Sequence, residues 1–291
     1  MFDLHRLRLL RELKHRGTLA AVAAALSYSP STVSQQLSQL EAEAGVPLLE
    51  PVGRRVRLTP QAEILVAHTE AVLERLERAE ADIAASLTGI SGTLRVASFQ
   101  TAALSLLPDA LSQLRAAHPL LRVHVTQAEP DRALPALLAR DFDLVIAEEY
   151  PGNPNPRLPE LEHEDLCDDP LRLALPGPDL AGLHDLAAHP WVMEPAGTPA
   201  HRWATTVCRE AGFEPDVRFE STDLLLHLSL VEHGHAAAFL PDLLWNGAAP
   251  AVPLRDLPAS RRLFTSVRRG HSAHPAIVAC RRVLRDLAAP S

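Results

Sequence analysis

The stretch 18–57 constrains this chain most. It reads as two short helices around a tight turn, the second opening at Ser29-Pro30-Ser31-Thr32-Val33-Ser34-Gln35-Gln36-Leu37. Ser29 is a good N-cap, because its hydroxyl can accept from a free amide of the first turn. Pro30 falls at the first helical position, where a missing N–H costs nothing. Val33, Leu37, Leu40 and Ala44 recur at helical spacing and form one buried stripe. The opposite face is Ser31, Thr32, Ser34, Gln35, Gln36, Ser38 and Gln39, with no charge before Glu41. Hydroxyls and amides both donate and accept, which is what reading base edges in a major groove requires. A Ser/Gln-rich surface helix in a small bundle accounts for this face equally well.

The residues after the helix separate these two possibilities. Gly45-Val46-Pro47 ends the helix. Leu48-Leu49-Glu50 and Val56-Arg57-Leu58 then form two short strands around a turn at Val52-Gly53-Arg54-Arg55. This is a wing with two arginines at its tip, suited to phosphates or a minor groove. Helix, turn, helix and wing within about forty residues is a specific constellation.

On these residues the chain resembles the LysR-type transcriptional regulators. The match runs through Leu7, Leu10 and Leu13, Gly17 to Ala23, Leu26 to Leu37, Leu40-Glu41, Gly45 to Glu50 and Gly53 to Thr59. Pro30 sits one position earlier than the family's usual helix-opening proline, and Pro51 stands where the family often has arginine. Gln61-Ala62-Glu63 replaces the usual small-residue and glycine pair. The expected fold is α/β overall. It comprises a mainly α winged helix-turn-helix (1–59), a long linker helix with its hinge (60–90), and a two-lobed, periplasmic-binding-protein-like effector domain (91–291). The expected DNA-binding residues are Thr18, Ser29, Pro30, Ser31, Thr32, Ser34, Gln35, Gln36, Arg54 and Arg55.

Thr59-Pro60 repeats the cap-plus-proline start, and a helix is expected from there to about Thr88. Leu65, Thr69, Val72, Leu76, Ala79 and Ile83 are spaced 4-3-4-3-4, an a/d heptad seam. A seam joining two chains and a stripe against the helix's own domain both fit; the helix connects two domains, which favours pairing. Leu65, Val72, Leu76, Ala79 and Ile83 are therefore the expected dimerisation residues. The resemblance agrees, and it implies a homodimer or a tetramer built as a dimer of dimers on an inverted-repeat promoter site.

Beyond a hinge at Gly89-Ile90-Ser91-Gly92, strands at 93–97, 121–125 and 144–147 alternate with helices marked by Leu104, Leu107, Leu111 and Leu114 and by residues 133–140. This is a βαβαβ pattern with a parallel sheet. A proline-rich crossing (151–159) leads to a second lobe with strands at 171–175, 191–193, 217–220 and 236–239 and helices at 198–211 and 223–233. Residues 263–267 return to the first lobe, and a last helix buries Ile277, Cys280, Leu284 and Leu287. Lobe I is thus about 91–150 with 266–291, and lobe II about 163–265.

Ligands of parallel α/β folds bind beyond the carboxyl ends of strands, near helix N-termini. Ser98-Phe99-Gln100-Thr101, Thr126-Gln127, Glu194 to Thr198 and Glu220-Ser221-Thr222 lie there. In the resembled family the first three line an inter-lobe effector pocket. Ser98, Phe99, Gln100, Thr101, Thr126, Gln127, Gly197, Thr198, Ser221 and Thr222 are the expected effector-binding residues. Ser98 and Thr198 should touch a small polar or anionic effector. Capping alone explains any single hydroxyl among them.

Charge fits this layout. The formal net charge is −8, yet residues 1–59 carry eight basic and five acidic side chains, leaving −11 on the rest. Such asymmetry marks a nucleic-acid-binding end. Three dispersed cysteines fit a reducing compartment. With no signal peptide and no apolar run long enough to span a bilayer, a cytoplasmic protein without membrane partners is expected. His233 and His235, with His271 and His274, lack a carboxylate or cysteine at ligand spacing, so no metal and no cofactor are expected. No catalytic residue is expected, for no nucleophile elbow, zinc-protease or phosphate-loop motif occurs. The function expected is sequence-specific DNA binding modulated by a small-molecule effector. The alternative is a small-molecule-binding α/β protein or enzyme whose N-terminal helices serve only assembly.

Overall fold

The computed structural model describes residues 1–289 except 27, 54, 181 and 246, and of residue 55 the backbone alone. Three helices open the chain: α1 (Leu4–Arg16), α2 (Leu19–Leu26) and α3 (Pro30–Ala44). Asp3 caps α1 by accepting from the Arg6 amide at 3.1 Å, and Gly17 closes it at φ 76°. Ser29 caps α3 through the Thr32 amide at 3.1 Å. A two-stranded wing comes next, β1 (Leu49–Val52) pairing antiparallel with β2 (Arg55–Leu58). Gly53 turns the hairpin at φ 62°, a conformation that favours glycine. Leu7, Leu10, Leu13, Val33, Leu37 and Leu40 share one core with Ala62 and Val66 of the next helix.

That helix, α4 (Pro60–Ala85), is capped by Thr59 and ends three residues short of the expected boundary. The connection is residues 86–90 in place of the expected hinge at 89–92, because Ser91 and Gly92 already belong to β3 (Ser91–Ser98).

The remainder is α/β. α5 (Gln100–Ser105) and α6 (Leu107–Ala117) take the place of one expected helix, with the break at Leu106. Then come β4 (Leu120–Gln127), α7 (Pro130–Leu138) and β5 (Leu144–Glu149). β3 pairs parallel with both β4 and β5. Two strands prove much longer than their apolar runs: β6 (Leu161–Ala174) and β10 (Leu254–Arg268). Their polar residues pair with each other, which a hydropathy pattern does not reveal. The main sheet runs β4-β3-β5-β10-β6-β9, with β9 at Ala238–Pro241. β7 (Pro190–Met193) and β8 (Asp216–Glu220) pair parallel, and Trp191 bridges to Ala237 beside β9. α8 (Pro199–Glu210), α9 (Leu224–Glu232) and α10 (Pro275–Ala288) complete the domain. One lobe packs around Leu94, Val96, Ile146 and Ile277, the other around Trp191, Trp203 and Leu173. Among the described residues no helix is long and apolar enough to cross a membrane.

Candidate functional site

Helix α3 buries Val33, Leu37 and Leu40 and exposes Ser31, Ser34, Gln35, Ser38 and Gln39. At its N-terminus Ser29 Oγ lies 2.7 Å from Ser31 Oγ and 2.8 Å from Thr32 Oγ1. Three hydroxyls therefore share one exposed helix end, with positive dipole character. Thr18 caps α2 through the Ala21 amide at 3.1 Å. Gln36 is half-buried, and its Oε1 accepts from Arg6 Nε at 3.1 Å, tying α3 to α1. The wing is held from beneath: Glu41 Oε1 accepts from the amides of Leu48 at 2.9 Å and Leu49 at 3.0 Å. Arg54 lies outside the described residues, and Arg55 begins β2. Most of the basic side chains of α1 are paired with acids: Arg6 with Glu43, Arg11 with Glu70 and Glu12, Lys14 with Glu63, and Arg16 with Glu12 and Asp141, while Arg8 is exposed.

Helix α4 carries two stripes. Ala62, Val66, Thr69, Leu73, Glu77 and Ala81 face inward. Thr69, expected in the intermolecular seam, is turned into its own chain and donates to the Leu65 carbonyl at 2.8 Å. Of the expected dimerisation residues Leu65 is half-buried and Ala79 exposed, while Val72, Leu76 and Ile83 are 45%, 40% and 65% exposed. Glu77 fixes α4 to the α/β domain: its carboxylate meets Arg268 Nε at 2.6 Å, Arg140 Nη2 at 2.9 Å and His271 Nδ1 at 3.1 Å. Burial opposes ionisation there, but His271, Arg268 and Arg140 together hold the carboxyl at about 2. Gly270 makes the close approach possible, since a Cβ there would stand 2.7 Å from the Glu74 carbonyl oxygen.

The second candidate site is the cleft between the lobes, bounded on one side by the carboxyl ends of β3 and β4, which lead into α5 and α7, and on the other by that of β7, which leads into α8. Gln100 spans it: Nε2 donates to Asp223 Oδ1 at 2.6 Å, and Oε1 accepts from the Leu224 amide at 2.8 Å. The hydroxyl of Ser98 is buried and donates to the Phe99 carbonyl at 3.1 Å. Thr101 is buried and accepts from Arg261 Nη2 at 2.6 Å. Thr126 and Gln127 are exposed at the end of β4. Gly197 is exposed at φ 94°, and Thr198 caps α8 through the His201 amide at 3.2 Å. Ser221 accepts from the Asp223 amide at 2.9 Å, and Thr222 is exposed.

The charged groups of the cleft are not marked by any sequence motif. Arg261, fully buried, bonds Asp169 Oδ2 at 2.7 and 2.9 Å, pairs with Glu148 and lies 5.1 Å over the Phe99 ring. Glu194 is pushed up to about 8 by burial and by Glu148 and Glu129. Glu129, which precedes Pro130, is pushed up to about 7 by burial, Glu148 and Asp131. Burial lowers His227, whose Nε2 lies 2.8 Å from the Ser221 carbonyl. Glu194 belongs to a segment expected at the cleft, but the sequence pattern points there only to Gly197 and Thr198. Arg261 reads as an ordinary member of the Arg261-Arg262 pair. His233 Nδ1 lies 2.7 Å from the Ser229 carbonyl, and no group of three potential metal ligands occurs among the described residues.

Known proteins share this layout. The model of the LysR substrate binding domain matches residues 87–289, and that of the bacterial regulatory helix-turn-helix protein, lysR family, matches residues 4–63. The transcriptional dual regulator GltC of Bacillus subtilis is 26% identical over 259 residues, covering 87% of this chain and 85% of GltC. A probable hydrogen peroxide-inducible genes activator of Mycobacterium xenopi is 35% identical over 140 residues, 48% of this chain and 74% of that protein. A full-length OxyR variant from Pseudomonas aeruginosa superposes with a TM-score of 0.69 at 21% identity, covering 98% of this chain and 95% of that one. CbnR in complex with its target DNA gives 0.54 at 23% identity, covering 99% and 100%. At these identities the two structures share the fold.

Proposed function

The chain belongs to the LysR family of DNA-binding transcriptional regulators, with a helix-turn-helix and a substrate-binding domain, and we propose that it reads an inverted-repeat promoter site as a cytoplasmic homo-oligomer. The observation that carries this is the uncharged hydroxyl-and-amide face of α3, exposed over a helix whose other side is sealed into a core. Ser31, Thr32, Ser34 and Gln35 contact bases or nearby phosphates. Ser29 and Thr18 shape the helix ends, Gln36 orients α3, and the wing arginines Arg54 and Arg55 hold backbone or minor groove.

Two recognition helices related by a dyad require pairing, and the exposed Val72, Leu76, Ala79 and Ile83 supply an apolar seam for it. Residues 1–59 form the DNA-binding unit, 60–90 the pairing unit and 91–291 the sensor. A small molecule in the inter-lobe cleft shifts the DNA-bound arrangement by binding one arrangement better than another. Within the cleft Gln100, Thr101 and Ser221 set geometry, while the exposed Thr126, Gln127, Gly197 and Thr222 are free to meet the ligand. We assign the chain no catalytic step.

The test is selection of fragments from the source genome by the purified protein at two salt concentrations. A few fragments sharing a dyad, with affinity falling steeply in salt, are expected. Recovery no better than random DNA at low salt would overturn the proposal.

A further inference from the structure

Helix α7 ends in a turn whose three residues each hold a helix of the N-terminal half. The Ala139 carbonyl accepts from Arg16 Nη2 at 3.4 Å, and the Asp141 carboxylate accepts from the same atom at 3.0 and 3.2 Å. Between them, Arg140 Nη2 meets Glu77 Oε1 of α4 at 2.9 Å. Arg16 is the last residue of α1, and its Nε donates to Glu12 at 2.8 Å. Arg140 stands at φ 67°, the one positive φ outside glycine among the described residues. The Arg140 and Asp141 amides close back on the Leu137 and Ala136 carbonyls at 3.1 and 2.9 Å, the helix ending in which glycine usually takes this place. Glycine would hold the turn without strain, but it has no side chain to reach Glu77.

The surfaces on either side of this turn do not close over each other. A cavity of about 290 Å³ lies between them, with Arg11, Lys14 and Glu70 on one wall and Leu138, Pro159 and Arg269 on the other. The orientation of the DNA-binding unit on lobe I therefore depends on a few polar ties, not on a sealed apolar interface. Helix α1 moves as one body with α3, because Leu7, Leu10 and Leu13 share a core with Val33, Leu37 and Leu40, and Arg6 bonds Gln36. Turning α1 about Arg16 thus turns the face that carries Gln35. An ion pair as open as this one, with the Asp141 side chain 42% exposed, contributes little stability. Beside a cavity it fixes an angle.

We propose that Arg140 and Asp141 are positioning residues for DNA reading: the turn they form sets the angle of the reading head on the sensor, and so the separation of half-sites that a paired molecule accepts. The assignment rests on α3 being the DNA-reading helix of a paired chain. Helix α7 is about 14 Å long. It runs from the cleft side, where β4 leads into it, to this turn, so one rigid element carries movement of lobe I to Arg16.

The experiment uses the full-length protein with Asp141→Asn, Arg140→Gly and Asp141→Glu. The first keeps the shape of the side chain and the second suits the turn, so both should melt close to the parent. Chymotryptic cutting at the exposed Leu87 should accelerate in these two and not in Asp141→Glu. On DNA, the dyad selected by the parent is compared with versions whose half-sites stand one base pair closer or further apart, and with a single half-site. Preference for the selected separation should shrink about fivefold or more in Asp141→Asn and Arg140→Gly. Affinity for the single half-site should not change, and Asp141→Glu should retain the preference. A merely structural role would weaken the single half-site as well. Unchanged cutting, an unchanged separation preference, or equal loss on the single half-site would each overturn the proposal. A parent that selects a dyad while the variants keep its separation preference loses only the positioning role. A parent that selects no dyad loses the DNA-reading function and the positioning role together.

Discussion

Gln35 and Gln36 are neighbours with opposite fates. Gln35 is exposed, with both ends of its amide free to bond an adenine edge bidentately. Gln36 already accepts from Arg6. Gln35→Ala should therefore cost about 1–3 kcal/mol on the specific site and relax preference at one base. Competition with permuted sites measures this, and equal loss on random DNA would contradict it. Gln36→Ala should instead lower the melting temperature and weaken specific and random DNA by similar factors. Glu194 makes a pH prediction. Its folded-state value near 8 exceeds the ordinary 4.5, so the folded chain holds a proton that the unfolded chain has lost. Its contribution is most favourable below about pH 4.5 and fades as pH rises towards 8. Melting curves between pH 5 and 8 should fall less steeply in Glu194→Gln than in the parent.

At the scale of elements, α4 separates what periodicity can and cannot say. The 3.5-residue repeat is legible in the sequence, and four of its members do lie on an exposed face. Which face turns inward is not, because it depends on partners far along the chain. Glu77 looks like a solvated flank of a heptad, yet it is buried by Arg140, Arg268 and His271. The same limit hides Arg261, whose partners Glu148 and Asp169 meet it only when β5, β6 and β10 lie side by side. Helix starts are the opposite case: Ser29-Pro30, Thr59-Pro60 and Thr198-Pro199 announce themselves locally, and each opens a helix. Leu76→Glu tests the exposed stripe. It should abolish self-association in sedimentation while leaving the secondary structure unchanged, since Leu76 is outside the chain's own core. Unaltered oligomers would place the pairing surface elsewhere.

For the whole molecule, Glu77 is the fastening between the reading end and the sensing end. Its carboxyl is held at about 2, below the ordinary 4.5, so its stabilisation is complete above pH 4.5 and disappears as pH falls through 2. The shift corresponds to on the order of 3 kcal/mol. Denaturant midpoints should drop across that acid window, and the drop should be shallower in Glu77→Gln, whose fastening is already weakened at neutral pH. Gly270→Ala attacks the same joint by sterics, pushing against the Glu74 carbonyl. It should lower the melting temperature and increase proteolytic cutting near residues 86–90.

The two lobes are joined by β6 and β10, two long strands bonded to each other along most of their length. Such a double strand behaves as a torsion bar: it resists separation end to end but yields to twisting. The ladder skips register between Asp256 and Ser260, opposite Arg172 and Pro170, leaving the Leu257-Pro258-Ala259 stretch outside the regular pairing. Twist should concentrate there, since proline offers no N–H to restore a rung. The sensor would then transmit its signal as a rotation about the bar's long axis, with the sheet itself as the spring that returns it.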